Sequence, residues 1–141
     1  GVIVYNRFNV LGTIDEKTEV GIFGEFDDAT RVVDEMEPVA VCSKKDVEMG
    51  PAVIRCTIDG ELEEVDIEIV KINYFTKDAN KGMTIKVTDK RLLDRTGGIV
   101  QGMSGSPIIQ DGRLIGAVTH VFVNDPTMGY GLYIEWMIGQ E

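Results

Sequence analysis

The run Gly102-Met103-Ser104-Gly105-Ser106-Pro107 constrains the fold more than any other stretch of this chain. From Gly97 to Pro107, four glycines and one proline fall within eleven residues, too many for a helix or an uninterrupted strand. Such a run makes a tight loop whose backbone approaches something closely. The stretch Pro107 to Thr119 then reads as strand, Asp-Gly turn (Asp111-Gly112), strand, and Asp-Gly between apolar runs is a strong hairpin signal. Ser104 lies at the centre of the loop, where its hydroxyl can stay uncrowded. A serine is a weak nucleophile at its own pKa, so it needs a base in reach and donors for the oxyanion that develops. A glycine two residues earlier can aim its N–H at the same point as the serine's own. The backbone N–H groups of Gly102 and Ser104 are therefore the candidate oxyanion hole. The competing reading is an ordinary glycine-rich hairpin loop with a solvated serine.

The rest of the chain reads as nearly all β. Residues 1–6 and 18–26 look like strands, 27–37 like an acidic loop or a short helical turn, and 38–43 like a strand. A charged turn over 44–50 leads into a long hairpin, 51–58 and 61–73, joined at Asp59-Gly60. Its second arm alternates at Val65, Ile67 and Ile69 against Asp66 and Glu68. Residues 75–82 form a polar loop that could border a substrate groove. A strand over 83–88, one helical turn over 89–95, the serine hairpin and a last strand over 130–137 complete the chain. Strand-like runs at short spacing with turn signals between them predict a barrel or sandwich. The 141 residues suffice for one domain with a real core.

Charge narrows the partners. Twenty-four acidic against fourteen basic residues give a net charge of −10, which argues against nucleic acid, whose phosphates demand a basic face. No apolar run approaches the ~20 residues that span a bilayer. Cys42 and Cys56 lie in apolar, strand-like runs and read as buried free thiols, with a single bridge open in an oxidising compartment. They lack the spacing of a zinc site, and nothing calls for a cofactor. The opening Gly1-Val2-Ile3-Val4 reads as the start of a cut or processed fragment.

The pattern from Gly102 to Thr119 resembles the nucleophile loop of chymotrypsin-like serine proteases. In that family the strand after the hairpin carries a Ser or Thr that supports the triad aspartate and lines the substrate groove; Thr119 matches it. The longer run Thr96 to Ile109, with Gly116 to Thr127, Gly129-Tyr130-Gly131 and Ile134-Glu135-Trp136-Met137, resembles the stage IV sporulation protein B peptidases of spore-forming bacteria. Leu11 to Ile14, Gly21 to Gly24 and Ile85 to Asp89 resemble them too. The resemblance implies an all-β, chymotrypsin-like antiparallel barrel, its first barrel incomplete in this chain, with residues 82–141 as the nucleophile-bearing part of one peptidase domain. It also implies a signalling endopeptidase, secreted into the space between forespore and mother-cell membranes and preceded by a PDZ domain. Such an enzyme cuts a protein partner to activate an intramembrane protease. A truncated barrel would expose strand edges, predicting pairing between copies.

The base is the difficulty. The one histidine, His120, follows Thr119 on the same expected strand, and strand neighbours face opposite ways. If Thr119 faces the serine, His120 faces away, as a barrel-wall residue bonded to backbone. The resemblance places the catalytic histidine upstream, in a Gly-His-Gly segment this sequence lacks, so the 141 residues are expected to be inactive alone. The acidic member it implies is Asp89, orienting the missing histidine; Asp89 also reads as the N-cap of a short helix. Asp94 is a weaker alternative, and Asp125 looks like turn chemistry. The rival to an enzyme is a non-catalytic barrel that binds a peptide by strand addition.

Overall fold

A computed structural model describes residues 10–28 and 38–139. The chain divides at Pro38/Val39 into two compact units. The expected strand over 1–6 and most of the acidic stretch 27–37 lie outside the described residues.

In the first unit, β1 (Gly12–Thr18) and β2 (Gly21–Phe26) form an antiparallel hairpin. The sequence predicts a single strand from Thr18 onward. The structure instead turns at Glu19-Val20, where the Thr18 hydroxyl accepts from Val20 N–H at 3.2 Å. β1 escaped notice because Asp15, Glu16 and Lys17 give it no apolar alternation, and five of its seven residues are exposed.

The second unit is organised by β4 (Gly50–Ile58) and β5 (Glu61–Ile72). Val65, Ile67 and Ile69 point inward with 2% exposure or less, and Ala52 and Ile54 of β4 face Ile67 and Val65 in register. The two strands meet at Asp59-Gly60, both with positive φ (51° and 84°), the turn whose twist matches that of paired strands. β5 pairs with β6 (Met83–Val87), and β6 with β9 (Asp125–Tyr133). β9 pairs with β8 (Arg113–Phe122), β8 with β7 (Pro107–Gln110), and β7 with β4. The circuit β4-β5-β6-β9-β8-β7 thus closes a six-strand antiparallel barrel among the described residues. Closure removes the free edges of the strand set that carries Ser104. β3 (Ala40–Val41) adds to β8 in parallel. The interior holds Ile54, Ile67, Ile85, Ile108, Val118 and Tyr133.

Two short helices complete this unit. α1 (Lys90–Thr96) is capped by Asp89 and ends on Gly97 in the left-handed region, φ 74°. α2 (Ile134–Ile138) replaces the second half of the strand predicted over 130–137. Tyr133 and Trp136 are three residues apart, and their rings meet edge to face at 4.8 Å, a contact a helical turn allows and a strand does not. Glu135 fixes this turn by accepting from Lys44 N–H at 2.8 Å. Cys42 and Cys56 are both buried and free, and burial pushes both thiols up in pKa.

Candidate active site

The site begins where α1 stops. Gly98 has φ 146°, and a Cβ there would lie 2.2 Å from the Pro126 carbonyl, so only glycine lets this backbone approach β9. Ile99 N–H then donates to the same carbonyl at 2.7 Å. Met103 N–H donates to Val100 O at 3.2 Å while its side chain is buried in the core, which pins the middle of the loop. Beyond the serine, Gly105 N–H donates to Val118 O at 2.7 Å, and Val118 N–H returns to Ser106 O at 2.9 Å. The loop is therefore stitched to β9 on one side and to β8 on the other.

Against this stitching, the N–H groups of Val100, Gln101, Gly102 and Ser104 are left unpaired among the described residues, and the last two belong to the serine itself and the glycine two residues before it. Met103, Gly105 and Ser106 spend their N–H groups inside the protein; Gly102 and Ser104 do not, among the described residues. Gly102 sits at φ 101° with open space where a Cβ would project. Both residues are exposed. A protein that leaves two such N–H groups unpaired, with bonded ones between and after them, has donors to offer an incoming oxygen.

The Ser104 hydroxyl donates to the Thr119 carbonyl at 3.0 Å. A carbonyl holds that proton but cannot remove it, so this is a resting position. The Thr119 hydroxyl donates in turn to Asn80 O at 2.6 Å, in the one-turn 3-10 helix Ala79–Lys81. The polar loop 75–82 does reach the strand beside the serine. Asn80, which the sequence reading passed over, is its point of contact; its only signal was the Asp78-x-Asn80 cap, in which Asp78 accepts from Asn80 N–H at 3.1 Å.

His120 departs from expectation. The pairing of β8 with β9 steps from Val118↔Gly131 to His120↔Tyr130, leaving Thr119 as the extra residue of a bulge. A bulge interrupts the strict alternation that set His120 opposite Thr119. His120 is exposed and its imidazole makes no hydrogen bond among the described residues, so it is not a wall residue whose side chain is bonded to backbone. Both residues address one turn: Thr119 bonds Asn80, and the charge of His120 reaches Asp78. The Asp78 carboxyl is held below its ordinary range first by Lys81, then by Asn80 N–H, with His120 a smaller contributor.

Asp89 is deeply engaged elsewhere. Its Oδ1 accepts from Arg91 N–H at 2.9 Å and Leu92 N–H at 3.3 Å, and its Oδ2 accepts from Arg91 Nη2 at 3.0 Å. The Arg91 guanidinium is the first cause of its lowered pKa, with Leu92 and Asp66 N–H acting the same way and burial opposing them. No hydrogen bond links Asp89 to Ser104 or His120 among the described residues. Asp94 is exposed on α1, and the Asp125 carboxylate folds back onto Thr127 N–H and hydroxyl.

The sequence profile of the family described as SpoIVB peptidase S55 matches residues 1–138. No curated protein sequence matches the chain. Among solved structures, the chain is similar to the Rv3671c protease from M. tuberculosis in its active form, with 16% identity over 92% of this chain and 56% of that one, TM-score 0.64. The inactive form of the same protease matches at 17% identity over 92% of this chain and 64% of that one, TM-score 0.61. The chain thus spans between 56% and 64% of the length of these two structures. At such identity the likeness establishes the fold, a chymotrypsin-like β-barrel.

Proposed function

The chain belongs to the SpoIVB peptidase S55 family, and from that premise we propose that it is a serine endopeptidase domain with Ser104 as nucleophile. One observation carries this reading. Ser104 is exposed, and its own N–H and that of Gly102, on either side of the bonded Met103 N–H, are left unpaired among the described residues. Ser104 Oγ attacks a peptide carbonyl carbon, its proton passes to a histidine, and the new oxyanion is held by those two N–H groups. Collapse expels the amine with that proton, and water then releases the acyl group from Ser104. Thr119 lines the groove: its carbonyl sits where the hydroxyl rests, and its own hydroxyl fixes the Asn80 turn.

The histidine comes, in this proposal, from an upstream Gly-His-Gly segment, so residues 1–141 alone are inactive. Asp89 remains the family's acidic candidate. Its present contacts favour a positioning role, holding α1 and through it the approach to the loop. The substrate is a protein partner whose cleavage activates an intramembrane protease, outside the cytoplasm, in the space between forespore and mother-cell membranes. The test compares residues 1–141 with a longer chain carrying the upstream segment, on a fluorogenic peptide library. Hydrolysis by the longer chain that vanishes in Ser104→Ala supports the reading. A longer, folded chain that cleaves nothing, or cleaves equally as Ser104→Ala, leaves a peptide-binding barrel in its place.

A further inference from the structure

The outside of the barrel carries a cleft of about 600 Å³, where the end of β5 and the loop after it meet β6 and β9. Lys71, Tyr74, Phe75, Lys81, Thr84 and Tyr130 line it. Register explains why they meet. Lys71 pairs with Thr84, and Thr84 with Tyr130, so the three project from one face of neighbouring strands. Strict alternation from the buried Ile69 would turn Lys71 inward; the register shift between them turns it out. His120 faces Tyr130 on the next strand, so Thr84 lies about 10 Å across the sheet from His120, away from the loop that carries Ser104.

Three features suit this cleft to a ligand. The first is its floor. Thr84 is only 6% exposed, and its hydroxyl has no hydrogen-bond partner among the described residues. A hydroxyl buried so far is costly until something bonds it. The second is charge. The chain carries a net charge of −10, yet no acid lines the cleft among the described residues. Lys71 has no ion-pair partner among them, while Lys81 is shared between Asp78 at 3.2 Å and the Tyr130 ring at 5.8 Å. The third is the rim, where Phe75 is 95% exposed beside the exposed Tyr74. A small anion would use the lysines and leave these rings bare; a peptide uses both.

We propose that this cleft binds an acidic segment of a partner protein, with a carboxylate held by Lys71, Lys81 and the Thr84 hydroxyl and a neighbouring apolar side chain against Tyr74 and Phe75. This binding is independent of the role of Ser104. The ammonium groups supply attraction that salt screens, and the Thr84 hydroxyl supplies a donor whose bond to a charged oxygen is stronger than one to a neutral group.

The test is fluorescence anisotropy of a labelled Glu-Glu-Phe-Glu-Glu peptide titrated with the chain. Saturable binding is expected, weakened by added salt and about tenfold or more weaker for Gln-Gln-Phe-Gln-Gln. Thr84→Val keeps the volume and suits a strand; its loss of the hydroxyl should weaken binding about tenfold. Lys71→Gln should weaken it about fivefold. Lys90→Gln removes the same charge from α1, outside the cleft, and should leave affinity unchanged. Each variant is compared in protein whose circular dichroism matches the parent. Absence of saturable binding overturns the proposal, as does equal affinity for the glutamine peptide. Parent-like binding by Thr84→Val or Lys71→Gln places the peptide elsewhere and overturns it too. A peptide with glycine in place of phenylalanine that binds as tightly would make the cleft a small-anion site instead. None of these outcomes touches the reading of Ser104.

Discussion

The barrel contains two hairpins that share a turn and little else. Asp59-Gly60 joins β4 to β5, and Asp111-Gly112 joins β7 to β8, each with both residues at positive φ. The first hairpin runs in unbroken register over nine residue pairs, Gly50↔Ile69 to Ile58↔Glu61. The second slips between Ile108 and Ile109, and β8 slips again against β9 around Thr119. Its leading end carries the glycine-rich loop in which the N–H groups of Gly102 and Ser104 are unpaired among the described residues, while the first hairpin spends its backbone polar groups on a ladder. Regular alternation serves stability. β5 also shifts register, against β6 between Ile69 and Lys71, but the shifts of the second hairpin lie on the strands that lead from Ser104 and carry Thr119 and His120, where bulges re-aim side chains.

This contrast can be broken or sharpened by substitution. The largest effect is expected from Ser104→Ala, which should lower peptide hydrolysis by the longer chain on the order of 10³-fold or more while leaving thermal unfolding unchanged. Gly102→Ala follows. The Cβ meets open space, but φ 101° disfavours it, and the N–H is expected to turn away. Acylation should drop by about 10²-fold, read by stopped-flow labelling.

Asp89→Ala should cost about 0.5–2 kcal/mol of stability through loss of the α1 cap, measured by urea unfolding. Its pH dependence has a definite sign. The folded-state pKa lies below the ordinary 3.8, so the contribution is present above that value and fades as pH falls through the folded pKa. The destabilisation caused by Asp89→Ala should therefore shrink in strongly acid solution. A large fall in acylation with stability nearly unchanged would restore a triad role for Asp89. The smallest effect is expected from Gly60→Ala, about 1 kcal/mol from a strained turn and no change in labelling. Were it to slow labelling as much as Gly102→Ala, the two hairpins would not divide stability and chemistry between them.

The regular hairpin and both Asp-Gly turns were legible because alternation and turn chemistry are local. The loop that leaves Ser104 exposed was legible because glycine at fixed spacing around one serine marks a tight turn with few other uses. The misses share one physical cause. β1 carries no apolar face to read, α2 is set by Tyr133 and Trp136 packing together, and the bulge at Thr119 exists only through pairing with β9. Alternation therefore made His120 a barrel-wall residue, whereas it is exposed; the rule assumes a strand without an extra residue. Asp89 looked the same as a cap or as a triad acid until Arg91 and Leu92 were seen to share its carboxylate.

The most direct test of Ser104 as nucleophile is covalent. The longer chain would be treated with a biotinylated fluorophosphonate, then weighed intact and mapped by peptide mass spectrometry. The account predicts one adduct per chain, carried by the peptide containing Gly102-Met103-Ser104-Gly105 and absent from Ser104→Ala. An adduct on a different serine, or an unmodified mass from folded protein, would contradict it.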